Sequence, residues 1–494
     1  MDYNLTSERT ERMSVVELPS GFALDISGIY HDKAVTMSDI ERIQSNIDTA
    51  VVAAHQMCKT GFVDGHVSKD GVPEKVMFSQ LPYIENEGIN TTATLQRLKK
   101  LGMHAKETID MVISFGIGGS YLGSKVLFDV QCGEYWNTLS DEARHGYPKI
   151  LFSGNTASGH SVTQLINYLV HEKSVRSDDF KVMLVVISKS GSTIEPMANF
   201  FIVRDALEKV GISYEVIAIT DPTEGMEETL LHMIARREEW EIFSVPTGVG
   251  GRFSVFSDVG FVIAALIGFD IENFLAGARS MDIACRKKKL FENPALLCAV
   301  LKYLSAEVYD RIIEIFMPFG DSFKSLGEWY VQLVAESLGK HREKGRLPYG
   351  RTPVAAVGTT DMHAQVQEHQ EGRYNKVVQF IKVREWDVDA IVPHVYEEFP
   401  KIEAFTGISL NEIMQAALAS NQEALNSDNR FNMTIEIPKL NAFHLGEVMF
   451  MFFWAIFYEA QLAGVDAFNQ PGVEVYKKIL GPKLRDIKCS KGIL

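Results

Sequence analysis

Between Ser188 and Thr193 the chain reads Ser-Lys-Ser-Gly-Ser-Thr, a run of hydroxyls around one ammonium and one glycine. The apolar run before it, Val182, Leu184, Val185, Val186 and Ile187, lacks the polar alternation of a half-exposed strand and predicts a buried parallel one. Beyond it, apolar residues at three- and four-residue steps from Ile194 to Val210 predict a helix stopped by Gly211. The loop then lies at a helix N-terminus, where unpaired amides and partial positive charge favour an anion. Ser188, Ser190, Ser192 and Thr193 add hydroxyl donors, Lys189 adds a full charge, and Gly191 admits close backbone approach. A capping box between Ser192 and Glu195 would need an amide that Pro196 lacks, so Thr193 is the expected N-cap. A tight polar turn without a ligand has the same composition, and this loop alone does not decide between the two.

Five more stretches carry residues of chemical interest. Gly116-Ile-Gly-Gly-Ser-Tyr-Leu-Gly123 follows an expected strand and opens a helix, as a dinucleotide loop would. Its glycine spacing is wrong for that, and no acidic residue ends a second strand where a ribose contact needs one. Gly248-Val-Gly-Gly-Arg-Phe-Ser-Val-Phe-Ser257 sets Arg252 among crowded glycines, either as a fixed cation reaching a ligand oxygen or as a cap on helix-end carbonyls. Gln332 and Glu336 lie four apart on an expected helix among Leu333, Val334 and Ala335, where a carboxylate would be suited to proton abstraction. His363 follows Thr359-Thr-Asp361 in an expected first helical turn, and His369, six residues on, lies about 120° away around a helix, a poor metal pair. Gln470 and Lys477 are aligned by two helical turns, although a surface lysine is the ordinary reading of the latter.

The elements that must position these residues follow from the apolar pattern. Met111–Gly116, Lys149–Ser153, Val182–Ile187, Tyr214–Thr220 and Glu241–Val245 read as strands with helices between them, which predicts a doubly wound parallel sheet. In such sheets ligands collect at the carboxyl ends of strands, where the loops at Gly116 and Ser188 would both lie. Ile312–Pro318, Pro353–Thr359 and Val377–Val383 predict a second α/β domain, with a boundary between 275 and 290. The paired turns Phe115-Gly-Ile-Gly-Gly-Ser120 and Met317-Pro-Phe-Gly-Asp-Ser322 hint at duplication. Residues 1–85 carry helical periodicity around Ile40, Ile43, Ile47 and Val51 and are read as an N-terminal arm without chemistry, before domains at 86–280 and 281–494.

With 494 residues, 46% of them hydrophobic, the chain can bury a large core. A formal charge of −15, from 64 acidic and 49 basic residues, argues against nucleic acid or an anionic membrane as partner. Cys58, Cys132, Cys285, Cys298 and Cys489 are far apart and without CxxC spacing, so they indicate neither a disulfide framework nor zinc. The opening Met-Asp-Tyr-Asn lacks the basic start and apolar core of a signal peptide, and a cytoplasmic location is expected. Val448–Tyr458 is too short a window to span a bilayer and predicts a buried core helix.

Taken together, GVGGRFSVFSDVG and FNQPGVEVYKK resemble the two signature regions of the glucose-6-phosphate isomerase family. SKSGSTIEP, FGIGGSYLG, the Gln332/Glu336 helix and TTDMHAQ resemble its other active-site segments in the same order, over residues 111 to about 480. The resemblance implies two doubly wound α/β domains of the sugar-isomerase type in a homodimer, acting on glucose 6-phosphate and fructose 6-phosphate in glycolysis and gluconeogenesis, with neither metal nor cofactor. It implies phosphate binding by Gly119, Ser120, Ser188, Lys189, Ser190 and Thr193, proton transfer between C2 and C1 by Glu336, and stabilisation of a cis-enediolate by Arg252. His363 and Lys477 would open the sugar ring, His363 entering from the partner subunit, while Gln332 and Gln470 hold the substrate. Ser190 stands where many relatives have threonine, and Pro471 where an aromatic is common. Two other classes are open to the same residues: a sugar-phosphate sensor, which would not need Glu336, Arg252, His363 and Lys477 together, and a nucleotide-dependent oxidoreductase, which the incomplete glycine motif disfavours.

Overall fold

The computed structural model of the chain describes residues 14–176, 180–342 and 347–493; the polar stretch at 1–13 lies outside them. Two parallel sheets organise the chain, as the apolar runs predict. The first contains Met111–Phe115, Lys149–Ser153, Lys181–Ile187, Ser213–Thr220 and Glu241–Ser244, each parallel to its neighbour. In space the second of these strands comes first, followed by the first, third, fourth and fifth. The order therefore reverses between Met111–Phe115 and Lys181–Ile187, and the loops leaving those two strands flank the switch point, where doubly wound sheets open a ligand crevice.

The second sheet repeats this order. Ile313–Pro318, Thr352–Ala355, Lys376–Glu385 and Phe431–Lys439 are parallel, with the second strand outermost beside the first. Each domain's leading strand runs into a glycine turn and a helix: Gly118–Ser120 then Leu122–Cys132, and Asp321–Phe323 then Lys324–Leu338. The duplication hinted at by the two turns is thus visible in the topology. The strand Phe431–Lys439 escapes the sequence reading, because its Asn432, Thr434 and Glu436 interrupt the apolar run. Of the N-terminal residues, Met37–Arg42 and Gln44–Thr60 are helical, while Val15–Glu17 and Ala23–Asp25 add an antiparallel pair to the free edge of Phe431–Lys439. Covering that edge removes an unpaired ladder.

The main core lies between the two sheets, and each sheet carries a smaller apolar cluster on its other face. Helix Ala442–Ala463 runs through the main core and packs against Ile271–Cys285 and Pro294–Glu307. Its 22 residues make it long and apolar enough by composition to cross a bilayer, twice the length of the window the sequence reading singles out, yet it is buried almost throughout. The division at residue 280 falls inside helix Ile271–Cys285, which is continuous there.

Four charges are locked in this interior. Lys302 pairs with Glu314 at 2.5 Å, and Arg351 bridges Glu314 and Glu459, the latter at 2.6 Å. Tyr330 donates to Glu314 and Tyr349 to Glu459, both at 2.7 Å. Removing these ions from water is expensive, so only a balanced and fully hydrogen-bonded set is tolerated. The network joins helices Pro294–Glu307 and Ala442–Ala463 to the second sheet and fixes Tyr349, which pairs with Lys340 on the antiparallel strand Lys340–His341.

Candidate active site

The anion loop forms as expected, with one change of detail. Helix Ile194–Val210 begins at Thr193 and ends at Gly211, whose φ of 71° is left-handed. Thr193 occupies the N-cap position but its hydroxyl does not cap; it lies 3.0 Å from the hydroxyl of buried Ser188 and 3.5 Å from that of Ser190. Ser192 donates to Ser190 at 3.4 Å. The first helical amides are therefore left to a ligand rather than spent on a side chain. Lys189 turns away: its ammonium donates to the Val249 carbonyl at 3.2 Å, tying this loop to the glycine-rich segment around Arg252.

That segment and the Gly116 loop meet backbone to backbone. A Cβ on Gly119 would stand 2.2 Å from the carbonyl carbon and oxygen of Gly251 and 2.8 Å from the Arg252 nitrogen, so no other residue fits. Its neighbour Gly118 has φ of 56°, and a Cβ there would come 2.8 Å from Gln332 Nε2. Two glycines thus seat the Gly118–Ser120 turn between Arg252 and Gln332, with Ser120 at its end. The spacing that departs from a dinucleotide motif serves this crossing.

Arg252 is buried at the centre and spends all five donors. Nε donates to Ser337 at 2.7 Å, Nη1 to Glu336 at 3.2 Å and Gln470 at 3.0 Å, and Nη2 to the carbonyls of Ala467 and of Asn469, the latter at 3.1 Å. Burying a guanidinium costs several kcal/mol, which this complete acceptor set offsets. Burial pulls its pKa down, against the opposing pull of Glu336. The carbonyl partners of Arg252 belong to the loop before helix Pro471–Ser490 and not to a helix end, so Arg252 is not the helix-end cap that its sequence also allowed; it is a cation held in place by protein acceptors. Gln332 and Glu336 share a face of Lys324–Leu338 as their spacing requires, but Glu336 faces a positive charge rather than the apolar wall expected for it. Gln332 Oε1 is buried and without a hydrogen-bond partner.

The structure does not bring every expected residue to this point. His363 is exposed in the first turn of Met362–Glu371, and among the described residues its ring makes no hydrogen bond. Lys477 is also exposed, and its ammonium donates to Glu474 at 3.2 Å, although Gln470, at the N-cap of the same helix, reaches Arg252. Pro471 stands at the first helical position, where its missing amide is not needed. Among the described residues no cluster of three His, Cys, Asp or Glu side chains could hold a metal ion.

Four residues of the site were not read from the sequence. Ser337 and Lys340 follow Glu336 closely on the chain, but a serine and a lysine just past a helix carry no distinguishing signal. Lys340 donates to the carbonyls of Asp466 at 2.6 Å and Asn469 at 2.9 Å. Burial, with Arg252 adding to it and Asp466 and Glu336 opposing, lowers its pKa to about 8. Asp466 meets His66 at 3.0 Å, a contact across 400 residues that no local pattern reveals. The Asp466 carboxyl is held below its ordinary value: burial raises it, but the hydrogen bonds from His66 and the Phe468 amide outweigh that.

Comparison with known proteins supplies the family. A family model described as phosphoglucose isomerase matches residues 91–491. Glucose-6-phosphate isomerase of Carboxydothermus hydrogenoformans is 31% identical over 464 residues, covering 92% of this chain and 93% of its own. That of Rubrobacter xylanophilus is 35% identical over 371 residues, covering 74% and 81%. Among solved structures, a glucose-6-phosphate isomerase from Chlamydia trachomatis superposes with a TM-score of 0.78 at 20% identity, covering 98% of this chain and 92% of that one, which supports the fold. The chain belongs to the phosphoglucose isomerase family.

Proposed function

We propose that this chain interconverts glucose 6-phosphate and fructose 6-phosphate, working in glycolysis and gluconeogenesis in the cytoplasm as a homodimer. The observation that carries the reading is the Arg252 and Glu336 pair, a fixed cation 3.2 Å from a partly exposed carboxylate beside the glycine turn that holds Ser120. The phosphate sits against the amides and hydroxyls of Ser188, Ser190 and Thr193, with Ser120 and the Gly119 backbone closing the seat and Lys189 bracing the loop. Glu336 takes the proton from C2 of the open-chain aldose; the electrons move into a C1–C2 double bond and the carbonyl oxygen becomes an enediolate oxygen. Returning that proton to C1, with the hydroxyl proton shifted between O2 and O1, gives the ketose without a net change in atoms or electrons. Arg252 faces the developing negative charge and, being already in place, needs no reorganisation during the step. A sugar hydroxyl would satisfy the buried Gln332 acceptor, and Gln470 holds the opposite side. His363 from the partner subunit and Lys477 serve ring opening, ahead of the isomerisation.

A coupled assay reading fructose 6-phosphate formed from glucose 6-phosphate tests this directly, with a nicotinamide-binding titration beside it. Absence of isomerase activity in the folded protein would sink the reading.

A further inference from the structure

The segment Asp466–Gln470 has no regular secondary structure, yet it supplies three of the five acceptors of Arg252 and opens the helix that bears Lys477. Something must hold it, because an irregular loop has many conformations and each ordered residue costs backbone entropy. Lys340 is placed for that work. Its ammonium grips the Asp466 carbonyl at 2.6 Å and the Asn469 carbonyl at 2.9 Å, and Arg252 holds that same Asn469 carbonyl from the other side at 3.1 Å. The geometry points to Lys340 as a positioning residue for the isomerase reaction: it holds the Asp466–Gln470 strap in the register that aims Arg252 and Gln470 at Glu336.

Three features support this. Lys340 follows Glu336 by four residues, and only Gly339 separates it from the end of helix Lys324–Leu338, so the clamp on the strap is joined by a short stretch of chain to the helix that bears the base. The other side of Lys340 is anchored, since it pairs with Tyr349 on the antiparallel strand and the Tyr349 hydroxyl donates to buried Glu459 at 2.7 Å. The strap is also tied at Asp466, whose carboxylate meets His66 and accepts from the Phe468 amide at 2.8 Å. Placing an ammonium beside the Arg252 guanidinium is electrostatically unfavourable, and the low pKa of Lys340 registers that cost together with its burial. A side chain without N–H donors would avoid the repulsion but leave both carbonyls without this partner.

The inference rests on the proposed isomerase function, so the wild-type chain is assayed first; no activity there overturns that function and not the positioning role alone. Lys340→Met, Lys340→Gln and Lys340→Arg are then compared for kcat and KM with glucose 6-phosphate, for affinity toward the alditol glucitol 6-phosphate, and for Tm. The alditol has a phosphate but no carbonyl, so it reads the phosphate seat and not the Arg252 alignment. Lys340→Met is expected to lose on the order of 10- to 100-fold in kcat, the scale of misplacement by up to about 1 Å, while alditol affinity stays within about twofold. Lys340→Arg, which retains charge and donors, should recover part of the loss. If Lys340→Met does not fold, Lys340→Gln decides by the same readouts, with an intermediate loss expected. A wild-type kcat in the folded variants overturns the role, and so does a loss of kcat matched by an equal loss of alditol binding.

Discussion

Arg252 Nη1 stands 3.2 Å from Glu336 Oε2, and the same nitrogen donates to Gln470 at 3.0 Å. One guanidinium nitrogen therefore joins the candidate base to the loop that closes the site, across 84 residues on one side and 218 on the other. Glu336→Gln keeps an oxygen for Arg252 to donate to, and so isolates the proton-transfer role from the packing role. Turnover should fall at least ~10²-fold, the lower range for a positioned general base, with phosphate affinity retained. Exchange of the C2 hydrogen with solvent is the direct reading, and a wild-type exchange rate in Glu336→Gln would exclude Glu336 from the step.

The hydroxyl of Thr193 bonds Ser188 and not its own helix, so its loss should be felt by a ligand more than by the fold. Thr193→Val removes about one hydrogen bond to a charged group, roughly 1.5–3 kcal/mol, or on the order of 10- to 100-fold in affinity. Calorimetric titration with glucose 6-phosphate should show that loss at an unchanged Tm. Equal affinity would leave the loop a turn only.

Gly119→Ala tests the backbone crossing. Its Cβ would collide with the Gly251 carbonyl, which as main chain in a packed setting can yield only by separating the two loops. A destabilisation of about 1–3 kcal/mol is expected from the overpacking, with kcat reduced as Ser120 and Arg252 move apart. Denaturant melts and steady-state kinetics measure the two effects, and a variant unchanged in both would contradict the crossing.

The pH dependence of stability carries the mark of Lys340. Its folded pKa of about 8 lies below the ordinary lysine value of 10.5, so between those limits the unfolded chain binds a proton that the folded chain does not. Stability contributed through this group therefore rises as pH increases through that window, and is lowest below pH 8, where both states are charged. Subtracting the profile of Lys340→Met from that of the wild type should leave a difference that grows in favour of wild type from about pH 8 to 10.5; a flat difference would refute the shift.

How much of this was legible in the sequence follows from where each signal lives. The strands of the first sheet were readable because Lys181–Ile187 is apolar after its first residue and Met111–Phe115 is apolar apart from Ser114, and the loops follow from what ends them. Phe431–Lys439 was hidden by polar residues that a buried strand tolerates where they find partners, as Asn432 does with Asn426 at 2.7 Å. Arg252, Glu336 and Gln470 stood out by residue type, yet their convergence depends on a tertiary path that local spacing does not encode. Lys340 and Asp466 did not stand out at all, since what makes them part of the site is the backbone they touch.

His363 lies exposed on the second-domain helix Met362–Glu371, with no hydrogen bond to Glu336, Arg252 or Gln470. If His363 opens the sugar ring as proposed, its place at the surface requires that a second copy bring it to the site. In a two-fold dimer each site then combines Glu336 of one chain with His363 of the other. Glu336→Gln and His363→Ala, each nearly inactive alone, would on mixing and refolding give a heterodimer with one doubly altered site and one intact site. With random pairing, half the dimers are mixed and half their sites intact, so activity should recover to about one quarter of wild type. The assay must start from ring-closed glucose 6-phosphate, because ring opening is the step assigned to His363, and a mass tag on one chain must show that heterodimers form. Tagged heterodimers whose activity stays at the level of the separate variants would mean that both residues serve the site of one chain, and the shared-site arrangement would fall.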